Sequence, residues 1–261
     1  MKHTETQYSP LQIIYKLILF IFLLPRTSHA QESAFLNLPE TQYFKNKSAD
    51  IKVKNVKYTE YYKEYDCKWE TTHAVISGLK DTTAQNYVND WLSGMTFFGT
   101  CDGDKECFDI ASFHYFYKMT YVTFIQNDLL GFFLKTGNCK NDDTPCSETQ
   151  DWEVYDLAQK RFLLEADIFK QDANSQNTFF ELIARRVEQK HLKLTPDWKA
   201  FDRQIGVDRK QSGVSNVVVY LIEDVVGVNK GLQLEFSAHE IASILKPEIA
   251  KRLFKFSLLP Y

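Results

Sequence analysis

The apolar positions change period along the chain, and each change marks an element. Residues 17–24 form an unbroken apolar run, followed by a polar stretch to residue 50 that holds Pro39 and reads as a poorly ordered lead-in. Ile51 and Val53 alternate, then the pattern slips by one to Val56 and Tyr58, predicting a strand with an irregularity. A second strand is expected over 71–77. Ala84, Tyr87, Val88, Trp91 and Leu92 recur at helical spacing, and Thr82 with Gln85 has the spacing of a capping box. This predicts a helix with all five residues on its buried stripe.

Residues 113–125 are aromatic and β-branched on both faces, Asn127-Asp128 supplies a turn, and 129–134 supplies the return strand of a long hairpin with both faces covered. A second helix is expected from about 178 to 188, with Phe180, Ile183, Ala184 and Val187 as its stripe and Thr178 with Glu181 as its capping box. Strands over 217–222 and 232–236 join through Asn229-Lys230-Gly231. A short helix from Ser237, capped by Glu240, ends near Pro247, and Phe254, Phe256 and Leu258 alternate as a last strand. Hairpins interleaved with few helices predict an α+β fold: mostly antiparallel sheets, about three helices and two closely packed subdomains.

Charge and cysteine usage narrow the setting. The 31 basic and 34 acidic residues give a net charge of -3, with no basic stripe, which argues against nucleic acid as a partner. Lys2 and Lys16 precede the apolar run, Pro25 ends it, and Ser28-His29-Ala30 places small residues where a signal peptidase reads, so residues 1–30 are expected to be a cleaved secretory signal. The run is short of the roughly 20 residues that span a bilayer as a helix, so no stable membrane span is expected after cleavage. Cleavage before Gln31 removes three basic residues and one acidic residue, leaving 28 against 33 and a net of -5. The expected location is the periplasm or the exterior.

All five cysteines, Cys67, Cys101, Cys107, Cys139 and Cys146, follow the signal, as suits an oxidising compartment. Cys101 and Cys107 bracket a polar turn, and Cys139 and Cys146 bracket another, so these two local pairings are expected, with Cys67 left as a free thiol. Such short loops shape a turn more than they stabilise a fold.

The stretch 73–81, followed by Gln85 and Val88-Asn89, resembles the strand, Gly-Leu turn and helix of the small N-terminal domain of the RsiV-like family. Asn127-Asp128-Leu129-Leu130, Trp152 with Asp156, the run 163–169 and the segment 236–242 resemble its partner, domain of unknown function 3298. The resemblance implies a small domain over 51–110 and an RsiV-like domain over 111–261, after the signal and the 31–50 lead-in. It also implies a bacterial extracytoplasmic module, of the kind found in the lysozyme-sensing anti-sigma-V factor, beside a peptidoglycan deacetylase domain, and in free-standing proteins. Three places depart from the family. A Gly-Gly-Ala-His segment is replaced around Thr136-Gly137-Asn138-Cys139, His239 stands where Tyr is usual, and a Gly after Ala242 is missing.

Motifs for catalysis are incomplete. His239-Glu240 opens like a zinc-protease helix, but Ser243 occupies the position of the second histidine. Cys67 with His73 or His114 has the composition of a thiol and its base, as any Cys and His in a secreted chain would. Asp102, Asp104 and Glu106, and Asn141, Asp142 and Asp143, lack the ligand periodicity of a calcium loop. No catalytic, cofactor or metal residue is therefore expected. The function expected is a noncatalytic envelope binding module for a basic protein such as lysozyme, or for peptidoglycan. An uncharacterised extracytoplasmic hydrolase and a purely structural envelope protein are the alternatives.

Overall fold

The computed structural model describes residues 41–46, 49–62, 67–96, 115–139, 147–200, 203–209, 215–222, 224–226, 228 and 231–254. The chain divides into two compact units, Met1–Pro39, which lies outside the described residues, and Glu40–Tyr261. The second unit is α+β, as its mixture of two apolar periods predicts. Seven strands, β1 (Thr41–Asn46), β2 (Ala49–Tyr62), β3 (Cys67–Ser77), β4 (Tyr115–Gln126), β5 (Leu129–Cys139), β6 (Ser147–Asp156) and β7 (Arg161–Phe162), form one sheet in chain order. Every neighbouring pair is antiparallel except β3 and β4, whose parallel pairing requires the crossover that begins with helix α1 (Thr82–Thr96). Helices α2 (Glu165–Ile168) and α3 (Ala173–Gln189) and a 3₁₀ turn (Trp198–Ala200) follow. Strands β8 (Gln204–Arg209), β9 (Ser215–Leu221) and β10 (Leu232–Ser237) make a second antiparallel sheet, and α4 (Pro247–Phe254) closes the described chain.

Two cores divide the apolar residues. The smaller joins Ile51, Val53, Ala74 and Ile76 to Val88 and Leu92 of α1 and to Val122, Phe132 and Leu134 of the hairpin. The larger joins Phe124, Leu129 and Val154 to the second sheet, α3 and α4 through Ile183, Val219, Phe236 and Leu253. Between the sheets the Trp152 ring lies on Gly206, where a Cβ would overlap the indole. Gln204 ties the same edge, accepting from the Trp152 amide at 3.3 Å and donating to Asp151 at 2.5 Å.

The hairpin forms as expected, with Asn127 (φ 49°) and Asp128 (φ 66°) in the left-handed region that a two-residue turn of this hand demands. Several boundaries differ. Residues 41–46 of the expected lead-in pair with β2 as a strand. The slip at Val56 and Tyr58 is a change of face with unbroken register, and Tyr58 stacks on His73 at 5.9 Å. Asp81, not Thr82, caps α1 by accepting from the Ala84 amide at 2.9 Å. Tyr87, expected on the buried stripe, is 52% exposed, because the stripe centres on Ala84, Val88 and Leu92. Helix α3 starts earlier than expected, capped by Asp172 through Ser175, with Phe179 rather than Phe180 fully buried. The segment after Ser237 is a series of turns. Pro247 starts α4 instead of ending a helix, as its missing amide allows at a first helical position, and so Phe254 is helical rather than part of a strand.

Candidate functional site

A row of polar residues crosses four strands of the main sheet. Glu70 of β3 pairs with Tyr117 of β4, Tyr117 with Gly137 of β5, and Gly137 with Glu148 of β6. At strand spacing the two glutamates stand roughly 14 Å apart at the backbone. Gly137 is what brings Tyr117 to the Glu148 end of the row. With no side chain there, the Tyr117 ring lies over its backbone, a Cβ would overlap the ring, and the tyrosine hydroxyl reaches across to donate to Glu148. Lys135 completes that end, 2.9 Å from Glu148 and 5.6 Å from the centre of the Tyr117 ring.

At the other end Glu70 is buried and ion-paired with Lys57 and, at 3.2 Å, with Lys68. Burial pushes its carboxyl up, but the two lysines outweigh it and hold Glu70 below the ordinary range. Tyr115, 5.5 Å from Tyr117 ring to ring, is pushed up to about 12, first by burial and then by the charge and hydrogen bond of Glu70. Burial and the same charge push Tyr121 up to about 12. Both phenols therefore stay protonated donors at neutral pH.

Both carboxylates of the row are paired with lysines. A general acid near neutral pH needs a raised carboxyl, whereas Glu70 is lowered and Glu148 is already engaged by a lysine and a phenol. Sequence reasoning missed the whole row. Its one visible sign is an isolated glycine within a strand pattern, which marks the close approach of a neighbour.

The residues singled out from the sequence are scattered. Cys67 opens β3 and His73 lies six positions along the same strand, roughly 20 Å away, so they cannot act as nucleophile and base. Cys139 ends β5 buried and disulfide-bonded. Cys101, Cys107, Cys146 and His114, and both acidic loop clusters, lie outside the described residues. His239 is exposed, its ring edge-on to Phe254 at 4.9 Å, and Glu240 is held by Arg186 at 2.7 Å. Among the described residues no group of three or more His, Cys, Asp or Glu is placed to hold a metal, and no helix is long and apolar enough to cross a membrane.

The sequence matches no family model and no curated protein. Solved structures similar to the chain include two of one family. A member of the domain of unknown function 3298 family from Bacteroides fragilis superposes with a TM-score of 0.53 at 11% identity, covering 80% of this chain and 98% of that one. A protein of the same family from Pseudomonas aeruginosa gives a TM-score of 0.47 at 11% identity, over 82% and 98% of the two chains. The first likeness assigns the fold: this chain shares the architecture of a domain of unknown function 3298 protein.

The residues that carry the sequence resemblance hold that architecture together. Asn89 clamps α1 to β3, accepting from the Ile76 amide at 2.8 Å and donating to its carbonyl at 2.9 Å, and Gln85 accepts from the Leu79 amide at 3.1 Å. Asn127 donates to the Arg252 carbonyl at 2.6 Å. Asp156, fully buried, takes Arg252 at 2.5 and 3.0 Å and the amides of Ala158 and Gln159 at 2.8 and 3.1 Å.

Proposed function

We propose that the chain is a noncatalytic binding module of the bacterial envelope, periplasmic or secreted after loss of residues 1–30, whose partner is lysozyme or a cell-wall component such as peptidoglycan. The observation that carries this reading is the fold likeness over nearly the whole length of the Bacteroides fragilis protein, in agreement with the order of the RsiV-like motifs along this sequence. Two further facts support it. The two carboxylates of the polar row, Glu70 and Glu148, are paired with lysines. A mature chain of net charge -5 also attracts a basic partner at a distance.

The test is a pull-down of the protein against lysozyme and against insoluble peptidoglycan at low and high salt. Retention by either that weakens with salt is expected. Retention by neither, or release of soluble fragments from peptidoglycan, refutes the reading.

A further inference from the structure

Helix α3 ends in a Schellman turn. The Leu192 amide bonds the Val187 carbonyl at 3.1 Å and the His191 amide bonds that of Glu188 at 2.8 Å, with His191 in the left-handed region at φ 58°. Beyond it the chain alternates: Leu192 and Leu194 pack against the larger core, and Lys193 points to solvent. This segment is tied to the connection between β9 and β10. Leu194 bridges to Val225, the Val226 amide donates to the Lys193 carbonyl at 2.8 Å, and the Thr195 amide donates to the Asp224 carbonyl at 2.8 Å. Val225 is consequently buried while Val226 is 57% exposed, with Ile222 45% exposed in the same connection. Among the described residues only three aliphatic side chains are large and exposed, and these are two of them.

The apolar pair sits beside a segment of opposite sign to the protein as a whole. From 185 to 199 there are five basic residues, Arg185, Arg186, Lys190, Lys193 and Lys199, against Glu188 and Asp197, in a chain of net charge -3. Arg186 is committed to Glu240, and Lys199 lies over the rings of Phe180 and Trp198. Arg185, Lys190 and Lys193 are exposed.

We propose that this patch, Lys190, His191 and Lys193 with Val226 and Ile222, docks on an anionic lipid surface. The lysines pair with the headgroups, and the two aliphatic side chains enter the boundary between headgroups and acyl chains. Charge complementarity picks an anionic occupant, and the exposed aliphatic pair picks a bilayer. A soluble polyanion would satisfy the lysines and leave Val226 and Ile222 in water. The Leu194–Val225 bridge sets Lys193 opposite Val226, and Leu192, Leu194 and Val225 back the two segments in the core, so no folding is needed on contact.

The test is co-sedimentation of the full chain with vesicles of phosphatidylcholine alone and of phosphatidylcholine with phosphatidylglycerol in equal parts, read as the ratio of the two partition coefficients. Residues 1–30 carry Lys2, Lys16 and Arg26 and favour anionic vesicles themselves, so the patch is read from the change in this ratio between the parent and variants that carry the same N-terminal segment. Binding is expected to favour the anionic vesicles and to weaken as salt rises. Lys190→Gln with Lys193→Gln should lower the ratio about 25-fold, at roughly fivefold per charge. Val226→Ser should lower binding to anionic vesicles about fivefold with the fold intact by circular dichroism. Equal binding to both vesicle types, a double Gln variant that binds as the parent does, or Val226→Ser without effect while inorganic polyphosphate competes fully, overturns the proposal.

Discussion

Arg252→Ala tests how the C-terminal helix is fastened. The Arg252 side chain places three of its five N–H donors on the hairpin side of the molecule, two on Asp156 and one, from Nε at 2.8 Å, on the Asn127 carbonyl. Asp156 has no exposed surface. Burial alone would raise its carboxyl, but the Arg252 guanidinium and the Ala158 and Gln159 amides hold it below the ordinary range. Truncation leaves that carboxylate buried with two amides and no countercharge, which should cost about 3–5 kcal/mol at pH 7 by urea denaturation. The sign with pH follows from linkage. In the parent, a carboxyl lowered on folding contributes stability above the unfolded value of about 3.9 and loses it as pH falls through the folded value. In the variant the carboxyl rises, folding takes up a proton, and stability is lost as pH climbs. The deficit should therefore shrink from pH 7 to pH 4, and Asp156→Asn added to the variant should recover part of it. A loss below about 1 kcal/mol at pH 7, or the same loss at both pH values, would refute this account.

Gly137→Ala should displace the Tyr117 ring and its bond to Glu148 at about 1–3 kcal/mol, seen in melts and in the tyrosine near-ultraviolet signal. Asp128→Gly should stabilise by about 0.5–1 kcal/mol, since Asn-Gly suits a turn with both central residues left-handed; no gain in denaturation midpoint would count against the turn assignment. Trp91→Ala should cost about 2–3 kcal/mol through its contacts with Phe132 at 5.2 Å and Phe162 at 4.6 Å, and Tyr87→Ala about 1 kcal/mol or less, so equal costs would place the helix stripe wrongly. Peptide mapping without reduction should find Cys139 joined to Cys146 and Cys101 to Cys107, with N-terminal sequence beginning at Gln31; Cys67 in any crosslink overturns the pairing.

What was legible in the sequence was what local period dictates. The hairpin at Asn127-Asp128 and the stripe through Ala84, Val88 and Leu92 follow from spacing alone, and both are present. Helix ends were misplaced because capping-box spacing occurs by chance, whereas the true caps, Asp81 and Asp172, are single residues whose competence depends on geometry. Pro247 reads as a stop in the sequence because proline ends helices more visibly than it begins them. Strand β6 was read only as a short motif around Trp152, because its first half, Ser147 to Asp151, is polar and its face is settled by the neighbours it pairs with.

The polar row was illegible for a different reason. Glu70, Tyr117, Gly137 and Glu148 come from four strands and are neighbours only through three registers, one of them the parallel pairing of β3 with β4. No window of sequence contains them. The resemblance, by contrast, was carried by residues that proved to be clamps and caps: Gln85, Asn89, Asn127 and Asp156 spend their polar atoms on backbone and on Arg252. A motif made of such residues identifies a fold and is silent about a ligand, because the polar atoms that define it, Gln85 Oε1, both Asn89 amide atoms, Asn127 Nδ2 and both Asp156 oxygens, are bonded inside the protein. The side chains left to meet one are those the motifs omit. By that reasoning, exchanging exposed residues should change what the module binds without changing its fold, whereas exchanging the motif residues should unfold it before any change in specificity could be seen.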